Sequence, residues 1–212
     1  MADEDGQLWY LKDWGLPYKN KTANELLGND LYRAAGVLVP EVVTDETGRF
    51  HASRWVEGRP LSDLTSEELD RVRADAQDGF MVDAWLSNWD VAGTGNMRLG
   101  DDGRVWRIDA GGALFFHAMG VARRLGRHAR ADVESMRDPA VATEQGAKLF
   151  ADVSEQALIR GAEMVASVSA RTIQQLSAKA QFALDADLRL DTQVIIDRRN
   201  DIADLFGLMV ED

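Results

Sequence analysis

The chain has 212 residues, 36 acidic and 24 basic side chains, a formal net charge of −12, three His and no Cys, with 45% apolar residues. That length suits one domain or two small lobes with a substantial core. The lack of Cys excludes a disulfide scaffold, thiolate metal sites and thiol catalysis, and the acidic balance argues against a chain-wide surface for nucleic acid or anionic membrane. No apolar run approaches the ~20 residues that span a bilayer, and the start, Met-Ala-Asp-Glu-Asp-Gly, has no signal-peptide character. A cytoplasmic globular protein without a membrane span is expected.

Residues 7–12 (QLWYLK) read as a strand, preceded by the turn dipeptide Asp5-Gly6. Only four residues precede that turn, so either its partner strand lies elsewhere or the chain begins partway through a larger motif. Residues 22–35 read as a helix, with Leu26, Leu27, Leu31 and Tyr32 at helical spacing and Gly36 as its stop. A strand follows from Val39, turns at 45–48 and returns over 49–56. Glu57-Gly58-Arg59-Pro60 breaks the pattern and marks a boundary between lobes 1–58 and 59–212.

Thr65 and Glu68 form a capping box, opening a helix expected to run to Leu86 with Leu69, Val72, Ala76, Phe80 and Ala84 on one face. Later, Val165, Val168 and Leu176 suggest one helix, and Ile195, Ile202, Leu205, Phe206 and Met209 a last one.

The stretch 88–114 (NWDVAGTGNMRLGDDGRVWRIDAGGAL) is the most informative. A two-residue turn at Asp102-Gly103 would pair Leu99 with Trp106 and Met97 with Ile108, which puts four apolar side chains on one face. The same register sets Asn96 opposite Asp109, with Cα atoms ~5 Å apart. An amide oxygen and a carboxylate that close can share a hard cation such as Mg²⁺. Asp90 lies in the loop leading to Asn96 and is expected over the same end, with Gly111-Gly112 permitting close approach. Arg107, two residues before Asp109, would point to the same side. Metal-assisted phosphoryl transfer uses such a set, although Asp and Asn also crowd turns for conformational reasons.

The order Asn88-x-Asp90, then Asn96, then Arg107-Ile108-Asp109-Ala110-Gly111-Gly112 resembles the active-site segment of the HipA-like and phosphatidylinositol-kinase-like branch of the protein-kinase fold, including the actin-fragmin-kinase type. The resemblance implies Asp90 as the catalytic carboxylate, with Asn96 and Asp109 as metal ligands. Trp9-Tyr10-Leu11-Lys12 and Ala23-Asn24-Glu25-Leu26-Leu27 look like that family's lysine strand and glutamate helix, which implies a Lys12–Glu25 ion pair at the nucleotide phosphates. Trp55-Val56-Glu57-Gly58 is similar to the linker against which adenine lies, so Trp55 and Glu57 join the cofactor-binding candidates. The fold implied is α+β and two-lobed, with a truncated β-rich N-lobe and a mainly helical C-lobe. The activity implied is an ATP- and Mg²⁺-dependent kinase acting on a hydroxyl-bearing substrate, a protein Ser/Thr or a small molecule.

Two departures stand out. The chain starts too late to hold the family's glycine-rich strand–turn–strand, which leaves three expectations: a minimal enzyme, a missing N-terminal segment, or a protein partner that completes the site. The residue after Asp90 is Val91, where many members have His shortly downstream. A catalytically degenerate nucleotide-binding or interaction protein is the alternative. His51, His117 and His128 lack zinc spacing, and the basic stretch 123–130 is expected to be a solvated loop, an anionic contact or an activation-type segment.

Overall fold

The structure, a computed structural model, describes residues 1–15, 19–93, 95–117, 120–181 and 190–210. Among these it is α+β, with two three-stranded antiparallel sheets and eight α-helices. In the first sheet β3 (Phe50–Arg54) lies between β1 (Trp9–Asp13) and β2 (Val42–Thr44). Lys12 pairs with His51 and Tyr10 with Ser53, so these four side chains share one face. The Asp5-Gly6 turn finds its partner nearby rather than elsewhere: Asp3 N donates to Gln7 O and Trp9 N to Met1 O.

Helix α1 (Lys19–Ala34) buries Leu26, Leu27, Leu31 and Tyr32. It stops at Gly36, whose φ of +83° is left-handed. Val37 N bonds Tyr32 O and Gly36 N bonds Arg33 O, both 3.0 Å, the paired closure that glycine permits at a helix end. Within the helix Gly28 has a packing role, since a Cβ there would stand 3.1 Å from Ala110 Cβ. That close approach brings α1 against the segment that carries Asp109.

Glu57 to Pro60 does not break the structure. Gly58–Pro60 is strand β4, which pairs with β5 (Met97–Gly100), itself paired with β6 (Val105–Arg107). The hairpin bends where expected, but its register differs by one residue: Leu99 faces Val105 and Met97 faces Arg107. The loop has three residues, Asp101 to Gly103, closed by Gly100 N to Arg104 O at 2.9 Å, with Gly103 left-handed at φ +77°. This is a turn with a glycine bulge, the next commonest solution after the two-residue turn. The four apolar residues therefore divide between faces, and Met97, Val105 and Arg107 are buried together.

Arg107 consequently points away from the cleft. Its guanidinium donates to Asp83 Oδ1 and Oδ2 at 3.0 and 2.8 Å and to Ala76 O at 2.8 Å. Tyr32 OH also donates to Asp83, and Asn88 Nδ2 donates to Tyr32. All four residues are buried. Burial raises the Asp83 carboxyl against the opposing pull of Arg107 and Tyr32. The expected long helix is also divided at this point. Helix α2 (Ser66–Asp78), opened by the capping box, is followed by α3 (Phe80–Trp85), and a Cβ on Gly79 between them would lie 2.5 Å from the Arg107 guanidinium.

The rest is helical: α4 (Arg130–Ser135), α5 (Glu144–Phe150), α6 (Glu155–Ala166), α7 (Ala170–Ala180) and α8 (Thr192–Phe206). The helix expected across Val165 to Leu176 is two, because Ser169 caps α7 by accepting from Thr172 N. Helix α8 ends at left-handed Gly207, and Met209 beyond it is exposed rather than packed. One apolar core runs from Leu27 and Leu31 of α1 to Ile195 and Ile202 of α8, and Lys179 of α7 pairs with Asp30 of α1 at 2.7 Å. No helix among the described residues is long and apolar enough to cross a membrane.

The buried ion pair yields a stability prediction. Arg107→Ala leaves Asp83 buried without its counter-ion and is expected to cost about 3–5 kcal/mol in urea unfolding. The double replacement Asp83→Leu, Arg107→Met removes both charges and should recover part of that loss. A double variant worse than the single would contradict this account.

Candidate functional site

Three elements meet at Lys12. Its Nζ lies 2.6 Å from Glu25 Oε1 on α1 and 3.0 Å from Asp109 Oδ2, just beyond β6. Burial would lower the pKa of the Lys12 ammonium, but Glu25 and Asp109 outweigh that and hold it above its ordinary value. Glu25 is buried, which would raise its carboxyl, yet His51 and Lys12 hold it well below the usual carboxylate range. Lys12 makes the firm contact. His51 Nε2 stands 3.2 Å from Glu25 Oε1 but out of line for a hydrogen bond, and adds charge only when the ring is protonated.

Asp90 and Asn96 form a second pair. Asn96 Nδ2 donates to Asp90 O and Asp90 Oδ2, both 2.8 Å. The loop between them turns tightly, since a Cβ on Gly93 would stand 2.8 Å from Asp90 O. Thr94 in that loop lies outside the described residues. The register shift sets Ile108, not Asp109, opposite Asn96, with Ile108 N donating to Asn96 O at 3.0 Å. Asn96 and Asp109 nevertheless line one cleft of about 200 Å³, together with Tyr10, Lys12, Trp55 and Ile108. Gly111 N donates to Asp109 Oδ1 at 2.8 Å and steadies the carboxylate. A Cβ on Gly111 would come within 3.0 Å of that same oxygen.

Asp90 is half-buried, and burial raises its pKa. The Asn96 hydrogen bond pulls it down, Asp109 pushes it up again and Lys12 opposes, with a net rise. Such a carboxylate holds a proton more readily than a solvated one, which suits a group that accepts one.

Glu57 does not line this cleft. It borders an adjoining cavity of about 740 Å³, which shares Pro40, Arg54, Trp55 and Val56 with the first. Among the described residues no three His, Cys, Asp or Glu are placed to hold a metal. The available donors are the Asn96 amide oxygen and the Asp109 carboxylate. This short all-oxygen set is the kind Mg²⁺ uses when substrate phosphates and water complete its shell.

Two contributors escape sequence reasoning. Asn24, buried beside Glu25, donates from Nδ2 to Ala113 O (2.9 Å) and accepts from Phe115 N (3.0 Å), which fastens α1 to the segment after Asp109. Arg123, expected in a basic stretch, is turned inward. It donates from Nε to Leu114 O at 2.7 Å, and from Nη2 to Ser87 O at 2.5 Å and Gly112 O at 3.2 Å. Among the described residues, Ser87 (φ 52°) and Leu114 (φ 56°) are the non-glycine residues with left-handed backbone, a conformation costing on the order of 1–2 kcal/mol each. Their only sequence signal is position, one on each flank of the candidate site. Elsewhere in the basic stretch Arg127 pairs with Asp197 and His128 with Asp201.

Comparison with family models, curated proteins and solved structures finds no match. The kinase resemblance therefore rests on these residues and their geometry alone.

The electrostatics are directly testable by carboxyl NMR titration. Asp90 should titrate above the ordinary aspartate value. Asp109→Asn removes a like charge and should lower it, whereas Asn96→Ala removes a hydrogen bond to the ionised form and should raise it. Shifts of the opposite sign would contradict the assigned causes.

Proposed function

We propose that this chain is a phosphotransferase of the protein-kinase-like, two-lobed type, using ATP and Mg²⁺ to phosphorylate a hydroxyl. The lobes would be residues 1–58 and 59–212. The observation that carries the reading is the Lys12 ammonium shared between Glu25 of α1 and Asp109, with the Asp90–Asn96 pair beside the same cleft. The resemblance supplies the roles.

In this reading Lys12, oriented by Glu25, presents its positive charge to the nucleotide phosphates. The cleft of about 200 Å³ is small against the roughly 300–1,000 Å³ of small-molecule sites, and the adjoining cavity past Trp55 gives room for base and ribose. The Asn96 amide oxygen and the Asp109 carboxylate would hold Mg²⁺, which when bound neutralises charge on the phosphates. Asp90 accepts the hydrogen of the acceptor hydroxyl and aims its oxygen. The chemistry is mainly positioning and electrostatics and needs no covalent enzyme intermediate.

Asp109→Asn is expected to abolish Mg²⁺-dependent nucleotide binding. Asp90→Asn should keep binding and lower turnover by about 10²–10⁴-fold. Undiminished turnover in both variants would contradict the assignment. Wild-type binding without turnover would instead mark a nucleotide-binding protein that has lost the chemistry.

A further inference from the structure

We propose that Arg123 is a positioning residue that locks the Asp90 loop and the Asp109 segment into one register. Ser87 immediately precedes 88–90, and Leu114 closes the run 109–114. Among the described residues these are the two non-glycine positions held in left-handed backbone, and one guanidinium bonds the carbonyl of each, with Gly112 O as a third acceptor. The two backbones also meet directly, Leu114 N donating to Leu86 O at 2.7 Å. Neither residue type adopts this conformation without outside support, and Arg123 supports both at once.

The geometry demands arginine. Its planar fork supplies several donors in fixed directions, whereas a lysine offers one compact charge that cannot span three carbonyls. Arg123 itself is fixed through Arg123 N, which donates to Phe115 O at 2.8 Å. Asn24 grips the same segment from α1, on residues 113 and 115. The Asp109 segment is thus held between the helix that carries Glu25 and the loop that carries Asp90. A ligand or partner that drew Arg123 away would uncouple the two carboxylates without touching either.

The first test needs no nucleotide. Hydrogen exchange of the full chain, wild type against Arg123→Lys and Arg123→Met, should show at least tenfold faster exchange in both 86–91 and 111–116. Helix α6 should keep its wild-type protection. A change confined to the residues around 123, or spread evenly over all helices, overturns the proposal, the second outcome showing a general structural role. The kinetic arm rests on the phosphotransfer reading. Loosening the register should lower ATP turnover by roughly a hundredfold with KM for MgATP within about twofold, since uniform binding is untouched. In Arg123→Ala, millimolar guanidinium ion should restore activity where ammonium does not. Coupled loosening in a chain that shows no turnover would count against the phosphotransfer reading and leave the clamp standing. Turnover unaffected by loss of Arg123 would count against the clamp.

Discussion

A single ammonium group joins three segments of this protein that are far apart in sequence. Lys12 Nζ reaches from β1 to Glu25 on α1 and to Asp109, 97 residues away in sequence. The Lys12 side chain is 14% exposed and that of Glu25 3%, so both charges lie where solvent screens them weakly. A buried carboxylate needs its counter-ion, and the Lys12 contact holds α1 against β1 while the same ammonium reaches Asp109 beyond β6. Several features serve that approach: a glycine at position 28 where α1 meets Ala110, Asn24 hydrogen-bonded to the backbone beyond Asp109, and a glycine turn that closes the helix one residue past its cap.

A second polar network stabilises the opposite face of the hairpin. Arg107, Asp83, Tyr32 and Asn88 form a chain of hydrogen bonds through the core that connects β6, α3, α1 and the turn just before Asp90. Buried ion pairs contribute little net stability against apolar replacements, but they tolerate few alternative arrangements. Here the network fixes the hairpin's buried face, so the alternation of the strand turns Trp106 and Ile108 the other way, Ile108 into the cleft beside Asp109. Arg123 completes the frame by holding the two strained turns on either side of the site.

Much of this was legible in the residues. The spacing of Leu26, Leu27, Leu31 and Tyr32 places α1 within a few residues of its observed bounds, and Thr65 with Glu68 marks the start of α2. Pairing of Lys12 with Glu25 followed from the resemblance, and the two do touch. What sequence reasoning missed has physical causes. The one-residue register shift arises because Gly103 ends a three-residue loop, and Asp-Gly is compatible with both turn types. Arg107 was assigned to the wrong side by that shift. Gly79 divides α2 from α3 because of a guanidinium contributed from residue 107, a non-local cause invisible to helical periodicity. Asn24 acts on backbone groups 89 and 91 residues away, and Arg123 joins a carbonyl 36 residues upstream to two that are 9 and 11 away, which no spacing rule encodes.

The central claim is that the Lys12 cleft takes a magnesium nucleotide, and calorimetric titration of the wild-type chain with ATP, with and without Mg²⁺, tests it most directly. The account predicts saturable binding that depends on Mg²⁺ and is lost in Asp109→Asn. Absence of binding at millimolar ATP with Mg²⁺, or equal binding by wild type and Asp109→Asn, would contradict it.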